Sequence, residues 1–197
     1  MKYLVSVCVA AALLAACGQK KEAAPPTDSQ ATATPSAPPA AEPAPAAGAS
    51  VQLAATQGHD VTGSLTIAPM GEGVHFTGTL QGLPPNGEFG FHVHEKGDCS
   101  APDASSAGAH LNPAGVDHGN PHEGAHHAGD MLNAKSDAQG TAQINAHVDG
   151  LSIGNGGATD VIGKAVVVHE KADDYKTQPS GNSGARIACG VINAVGM

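Results

Sequence analysis

Hydrophobic and polar residues alternate in a series of short segments along the second two thirds of the chain. Four segments alternate clearly, a fifth is more continuously apolar and a sixth comes last: Val61–Ile67, Val74–Leu80, Phe89–His94, Thr141–Val148, Val161–His169 and Ile187–Ala194. Because successive side chains of a strand point to opposite faces of a sheet, alternation predicts strands with one buried face.

Turn-forming residues separate these segments. Pro, Gly, Asn and Asp cluster at Pro69–Gly73, Pro84–Gly87, Asp137–Gly140 and Asp149–Gly150. No stretch shows a helical period with capping residues. The pattern therefore predicts an all-β domain of about eight short antiparallel strands, arranged as a sandwich or a barrel. Two longer segments interrupt it, Gly97–Gly129 and Glu170–Ala185, and long loops on a compact β-scaffold usually carry function.

The start of the chain has the composition of an export signal. Lys2 precedes an apolar core, Leu4–Leu14, which is too short to span a bilayer. The core runs into Leu14–Cys17, which resembles a lipobox, so we expect Cys17 to be acylated and to anchor the protein to a membrane surface. Gly18, in place of Asp, slightly favours the outer membrane. An ordinary cleaved signal with an incidental cysteine is the alternative.

The following stretch is rich in Ala, Pro and Thr and carries few charges. Such a composition predicts a disordered tether rather than a packed core. We therefore expect a signal peptide over residues 1–16, a lipidated tether over 17–50 and one domain over 51–197. The predicted location is the periplasmic side of the cell envelope.

The chain has four cysteines, and the predicted processing accounts for two of them. Cys8 leaves with the signal peptide and Cys17 carries lipid. Cys99 and Cys189 remain, and an even pair in an oxidising compartment predicts a disulfide rather than two free buried thiols. It would close a loop of about 90 residues, for which loop entropy predicts a stabilisation of roughly 4 kcal/mol.

The formal net charge is −9, which argues against a nucleic-acid partner because such proteins present basic surfaces. From Val51 onward, six Lys or Arg residues face fifteen Asp or Glu residues. Attraction of an anion to this domain would therefore have to be local.

The 11 histidines are distributed unevenly. His92 and His94 lie two apart on a predicted strand, so both imidazoles leave the same face. Further candidate ligands lie in or next to the first long loop: His110, His118, His122, His126, His127 and Asp130. One more histidine, His169, ends the predicted strand before the second loop. Imidazoles suit zinc and copper, and a lone carboxylate among them suits zinc. The pattern predicts metal binding, but it neither divides the ligands between ions nor chooses between His126 and His127.

Five motifs in order then resemble those of the bacterial copper–zinc superoxide dismutases, over essentially all of residues 51–197. They are Gly90–Cys99, Ala107–Pro113, His118–Gly119 with His127–Asp130, Val168–Asp174 and Gly184–Val191. The resemblance implies an eight-stranded Greek-key β-barrel with two long functional loops.

The resemblance also implies two metal sites that share one ligand. Copper would be held by His92, His94, His110 and His169, and zinc by His110, His118, His127 and Asp130. His110 would bridge both metals, and Asp173 would orient ligand histidines of both sites. Arg186 would stand near the copper and attract the anionic substrate, and Cys99 would pair with Cys189.

The activity implied is the dismutation of superoxide to oxygen and hydrogen peroxide, with one redox-cycling copper and one structural zinc per subunit. It would protect the cell envelope, and a homodimer is compatible with the resemblance. His110 would exchange a proton during the cycle. The second loop lacks the acidic run of some relatives and carries Tyr175, Gln178 and Pro179 instead. Steering therefore falls to Arg186, with Lys171 and Lys176 as weaker candidates.

Two other functions compete with this interpretation. A non-enzymatic periplasmic copper- or zinc-binding lipoprotein would use the same ligands but would need no substrate-guiding cation. A zinc hydrolase would need a general base beside an open zinc, and the sequence offers none. The remaining histidines are expected at the surface or at strand edges: His59, His75 and His147, together with His122 and His126, for which a metal-loading role is the alternative.

Overall fold

The computed structural model describes residues 48–196. The predicted signal peptide, the lipid attachment at Cys17 and most of the predicted tether lie outside the described residues. Gly48–Ser50, expected at the end of the tether, belong to the first strand, where Ala49 is fully buried and pairs with Ile67 on one side and Ala194 on the other. Within the described residues, no helix is long and apolar enough to cross a membrane.

Nine strands and a single short 3₁₀ turn make up the described part of the chain. The strands are β1 (Gly48–Ala55), β2 (Thr62–Met70), β3 (Gly73–Gln81), β4 (Glu88–Phe89), β5 (Phe91–His94), β6 (Ala134–Lys135), β7 (Ala142–Asp149), β8 (Ala165–His169) and β9 (Arg186–Val195), and the turn is Ser105–Ala107. The all-β prediction is confirmed. The count differs from eight because the alternation did not single out β1 and because β4 and β6 are only two residues long.

Seven strands form one curled antiparallel sheet in the order β5-β8-β9-β1-β2-β3-β7, and β4 pairs separately with β6. β1 pairs with β2, the next strand in sequence, and with β9, the last strand of the described chain. This connection between strands distant in sequence is the Greek-key feature that the sequence predicts. It brings β5, β8 and β9, which carry the predicted site, side by side.

The core lies on the concave side of this sheet, where alternate side chains meet. Phe76 of β3 and Phe91 of β5 are buried, and their rings pack edge to face with centroids 6.4 Å apart. Every residue of β5 and of β8 is buried. Phe91 and Val93 belong to the core cluster, and the opposite face of β5 is covered by the long loops, which is why its two histidines are buried as well.

The predicted disulfide between Cys99 and Cys189 is present and ties the first long loop to β9. Cys189 packs in a small apolar cluster with Ala104 and Ala107 of the loop and with Ala165 and Val167 of β8. The covalent link and this cluster together hold the loop against the outer face of the sheet.

We expect replacement of both cysteines, Cys99→Ser with Cys189→Ser, to lower the free energy of unfolding by up to roughly 4 kcal/mol, because the unfolded chain regains the entropy of a 90-residue loop. Urea denaturation of the metal-free protein measures this change. Wild-type protein in a strong reductant is the matched control and should unfold at the urea concentration of the variant. If the variant and the oxidised wild type were equally stable, the disulfide would contribute nothing to the free energy of unfolding.

Candidate metal centre

Strand geometry presents three histidines to one point. His92 and His94 leave the same face of β5 because they are two residues apart, and both are almost fully buried. β8 runs antiparallel beside β5, with Phe91 opposite Val168, so His169 follows directly at the end of the neighbouring strand. A register shift between Val168 and His169 marks the point where β8 leaves the ladder.

Two backbone hydrogen bonds of Val93 dock the first long loop on the free edge of β5, and a third joins two residues of the loop to each other. The N–H of Val93 donates to the carbonyl of Gly129, the N–H of Leu111 donates to the carbonyl of Val93, and the N–H of Gly129 donates to the carbonyl of Leu111. A Cβ atom on residue 129 would stand 2.1 Å from the Val93 carbonyl oxygen, so this approach requires glycine. The contacts place His110 and Asp130, which adjoin Leu111 and Gly129, over the strand histidines.

The first group consists of four buried histidines whose ligand atoms all lie within 4.8 Å of one another: His92, His94, His110 and His169. Backbone carbonyls fix two of the rings. His94 Nδ1 donates to the Gly108 carbonyl at 3.0 Å and His169 Nδ1 donates to the Gly184 carbonyl at 3.3 Å. Each ring therefore turns an Nε2 lone pair inward, and the two Nε2 atoms are 3.4 Å apart. Four imidazoles with free lone pairs suit copper.

The second group is equally buried and shares one member with the first: His110, His118, His127 and Asp130. Asp130 Oδ1 lies 2.7 Å from Nδ1 of His110, 3.0 Å from Nδ1 of His118 and 3.2 Å from Nδ1 of His127. A tetrahedral zinc with bonds of about 2.0–2.1 Å separates its ligand atoms by about 3.3 Å. Three imidazole nitrogens and one carboxylate oxygen at these distances therefore fit zinc.

Asp173 connects the two groups from behind. Its Oδ2 accepts a hydrogen bond from His92 Nε2 at 2.7 Å and its Oδ1 accepts one from His118 Nε2 at 2.9 Å. All three side chains are shielded from solvent. Because a carboxylate only accepts, both rings must carry their proton on Nε2 and keep Nδ1 free for a metal.

Burial and hydrogen bonding set the protonation of the groups. Burial lowers the pKa of His92 to about 4 and that of His169 to about 3, so both imidazoles are neutral at neutral pH. For His118, burial alone would lower the pKa, but the neighbouring carboxylates of Asp130 and Asp173 raise it to about 9. Burial would raise the pKa of the two carboxyls, yet hydrogen bonds from histidines hold both well below their usual range. The centre thus keeps two negative charges available to cations.

Unpartnered buried atoms give a direct test of whether these residues fit metal ions. In residues 48–196, four buried side-chain nitrogen or oxygen atoms lack a hydrogen-bond partner. Three of them are His92 Nδ1 and His110 Nε2 in the first group and His118 Nδ1 in the second. A buried polar atom without a partner costs about 1–3 kcal/mol, and a metal ion on each side of His110 removes that cost. The residues therefore fit copper in the first group and zinc in the second.

The first group faces a solvent-connected cavity of about 560 Å³. His94, His110, His169 and Arg186 are among its lining residues, whereas neither Lys171 nor Lys176 belongs to its wall. The guanidinium of Arg186 donates to the carbonyls of Ala104 and Gly108, both at 2.6 Å, and is fixed in place by them. Arg186 is thus a positioned cation at the edge of the first group.

The structure brings together every ligand residue that the resemblance implies. His122 and His126 belong to neither group: His122 is exposed, and His126 Nδ1 donates to the carbonyl of His127 at 2.8 Å. The choice of His127 over His126 thus agrees with the geometry.

Sequence reasoning missed two amides that support the centre. Asn133 Nδ2 donates to the Asp173 carbonyl and Asn133 Oδ1 accepts from the Asp173 N–H, at 3.0 and 2.8 Å. Gln178 clamps the backbone of His118 in the same way, with both contacts at 2.9 Å. No motif or spacing marks either amide, because each acts through contacts between distant parts of the chain.

We expect Asp173→Asn to weaken zinc and copper binding by roughly 10- to 100-fold, because an amide cannot accept from both His92 and His118. Competition with a chelator, followed by metal analysis, measures this loss. Asp174→Asn is the matched control, since its exposed carboxylate bonds only to the Lys176 N–H and to Thr177. Equal metal affinity of the two variants would contradict a positioning role for Asp173.

Comparison with known proteins extends these observations. The family described as copper/zinc superoxide dismutase (SODC) matches residues 61–192. Superoxide dismutase [Cu-Zn] 2 of Aquifex aeolicus is 39% identical over 147 residues, which cover 73% of this chain and 85% of the relative. Superoxide dismutase [Cu-Zn] of Caulobacter vibrioides is 43% identical over 136 residues, covering 66% and 77%.

Solved structures agree with the sequence matches. The crystal structure of a SOD-like protein from Bacillus subtilis superposes with a TM-score of 0.65 at 40% identity, covering 72% of this chain and 96% of that protein. The structure of the clock protein EA4 gives a TM-score of 0.67 at 40% identity, covering 75% and 94%. Fold, ligand geometry and sequence matches thus agree, and the chain belongs to the copper/zinc superoxide dismutase family.

Proposed function

We propose that this chain dismutes superoxide to oxygen and hydrogen peroxide, with copper in the four-histidine group and zinc in the group that contains Asp130. The observation that carries the proposal is the shared ring of His110. Its Nδ1 lies in the zinc group, 2.7 Å from Asp130, and its Nε2 lies unpartnered in the copper group. One imidazole would therefore serve two cations when both metals are bound, an arrangement that a protein holding a single ion would not need.

Copper, when bound, supplies the one-electron couple that oxidises one superoxide and reduces the next. The chain supplies the geometry and the proton. His92, His94 and His169 are fixed by hydrogen bonds from behind, so their lone pairs converge without further rearrangement. His110 lines the cavity, and its Nε2, which has no protein partner, would hold the proton that a reduced substrate requires.

Arg186 supplies the attraction that the acidic chain otherwise lacks. Its guanidinium lines the same cavity as His94, His110 and His169 and remains half-buried. A positive charge focused in a cleft raises the on-rate of an anion by roughly 10- to 1,000-fold. Because two backbone carbonyls fix its position, Arg186 guides superoxide toward the open side of the four-histidine group.

The two competing functions explain less of this arrangement. Storage of metal would not need Arg186 beside an open cavity. A zinc hydrolase would need an open coordination position, but the zinc group already provides four protein ligands.

We further propose that the protein is attached to the periplasmic side of a membrane, the outer membrane in preference to the inner one, and protects the cell envelope from superoxide. The lipobox-like Leu14–Cys17 and the following Ala- and Pro-rich stretch support this proposal. A homodimer remains an expectation from the family.

We expect protein reconstituted with copper and zinc to dismute superoxide, and copper-free protein to be inactive. His169→Gln should lose copper and activity while keeping zinc, and His127→Gln should lose zinc first. A dismutase assay with metal analysis of the same samples measures both effects. His126→Gln is the matched control for His127→Gln and should retain both metals. Full copper occupancy without activity would contradict the proposal and favour metal storage.

We expect Arg186→Ala to slow the reaction by about 10-fold or more at low salt, with unchanged metal content, because the cavity loses its cation. Stopped-flow measurement at several salt concentrations should also show a weaker salt dependence. Arg186→Lys separates charge from tethering, since it keeps the charge but cannot bond to both carbonyls. Lys171→Ala is the control outside the cavity wall. An unchanged rate in Arg186→Ala would remove Arg186 from the mechanism.

We expect Cys17→Ser to release the protein from membranes, because the lipid anchor requires the thiol. Fractionation of cells, with dismutase activity as the marker, measures the distribution between membrane and soluble fractions. Cys8→Ser is the matched control and should leave the protein on the membrane. Continued membrane association of the Cys17→Ser protein would show that another segment provides the attachment.

A further inference from the structure

A pair of histidines lies on the outer face of the sheet, and neither belongs to the two metal groups. His75 of β3 stands directly opposite His147 of β7 in the antiparallel ladder. Their rings are stacked with centroids 6.3 Å apart. Ring pairs within the four-histidine group have centroids 4.0 to 6.5 Å apart, so the spacing of this outer pair falls inside a range that serves one ion.

In both rings Nε2 makes a hydrogen bond to a neighbouring side chain, which leaves Nδ1 without a protein partner. His75 Nε2 donates to Asn145 Oδ1 at 2.6 Å, and His147 Nε2 donates to Asp149 Oδ1 at 3.0 Å. The proton of each ring therefore lies on Nε2, and each Nδ1 keeps its lone pair. Metal-binding histidines are held in this manner, with the ring N–H donated to an oxygen behind it.

The remaining unpartnered atom of the described chain lies in this pair. Three of the four buried side-chain atoms without a hydrogen-bond partner in residues 48–196 belong to the two metal groups, and the fourth is His75 Nδ1. A nitrogen lone pair that is shielded from water and has no protein donor is a feature that this pair shares with the metal centre. The sequence expectation of plain surface histidines does not account for it.

Access to the pair is open from one side. The His147 side chain is 37% exposed and lines a cavity of about 580 Å³, which also contacts His122 and Asn145. Water and an ion can therefore approach the pair from the His147 side. Asp149 is exposed and adds a negative charge beside His147.

We propose that His75 and His147 together bind one divalent transition-metal ion, with Asn145 and Asp149 as positioning residues and water as the remaining ligands. Imidazole nitrogens completed by water oxygens suit Cu(II), which takes nitrogen and oxygen ligands in a tetragonal geometry. Cu(II) also forms stronger complexes with nitrogen ligands than Zn(II) or Ni(II) does. The site is independent of the dismutase centre and would take copper in addition to it.

The test is a Cu(II) titration of full-length protein whose copper and zinc sites are already filled, as verified by metal analysis. We expect calorimetry to show one further equivalent of Cu(II), and electron paramagnetic resonance to show coupling to two imidazole nitrogens. His75→Thr and His147→Thr should each abolish this equivalent. Thr is the residue that β3 already carries on the same outer face at Thr77 and Thr79, so the sheet should be preserved.

Two controls keep the result specific. Asp149→Asn should weaken the additional binding by roughly 10- to 100-fold, because an amide supports the His147 ring less well. His122→Ala with His126→Ala should leave the binding intact, and dismutase activity should be unchanged in all of these variants. Absence of a further equivalent in the wild type, or its persistence in His147→Thr, would overturn the proposal. Neither result would affect the dismutase centre, which is assayed separately.

Discussion

The burial of two carboxylates, Asp130 and Asp173, is the constraint on which the rest of the structure depends. An ionised carboxylate shielded from water is strongly unfavourable unless hydrogen bonds or cations surround it. Imidazole N–H groups of His92, His110 and His118 meet that need in the metal-free chain. The same hydrogen bonds orient the rings, so the contacts that stabilise the buried charges also shape the metal centre.

The barrel makes this arrangement possible because its paired strands hold the ligand histidines in fixed positions. Alternation on β5 aims two histidines at one point, and the pairing of β5 with β8 adds His169. The two loops have no regular structure of their own beyond a short turn, yet each is fastened to the sheet. The first is held by Val93, the disulfide and Arg186, and the second by the backbone contacts of Asn133 and by Gln178. Rigid strands with fastened loops are a common basis for a functional site.

Much of this architecture can be predicted from the sequence, because strand alternation is local. The all-β class, the shared face of His92 and His94 and the grouping of the loop histidines follow from spacing, and the family resemblance divides the ligands between two ions. What spacing cannot predict depends on contacts between distant segments. The start of β1 at Gly48, the amides Asn133 and Gln178, and the pairing of His75 with His147 all belong to that class. Each becomes apparent only when the register between strands or loops is known.

The two links between β9 and the first loop have a consequence for the supply of metal. Cys189 and Arg186 lie on the same strand and hold Cys99, Ala104 and Gly108 without help from any ion. The anion-attracting wall of the cavity is therefore held by the fold itself. Chains emptied of metal would form a standing reserve, already shaped and charged for their substrate. The dismutase capacity would then follow the supply of copper rather than the rate of protein synthesis.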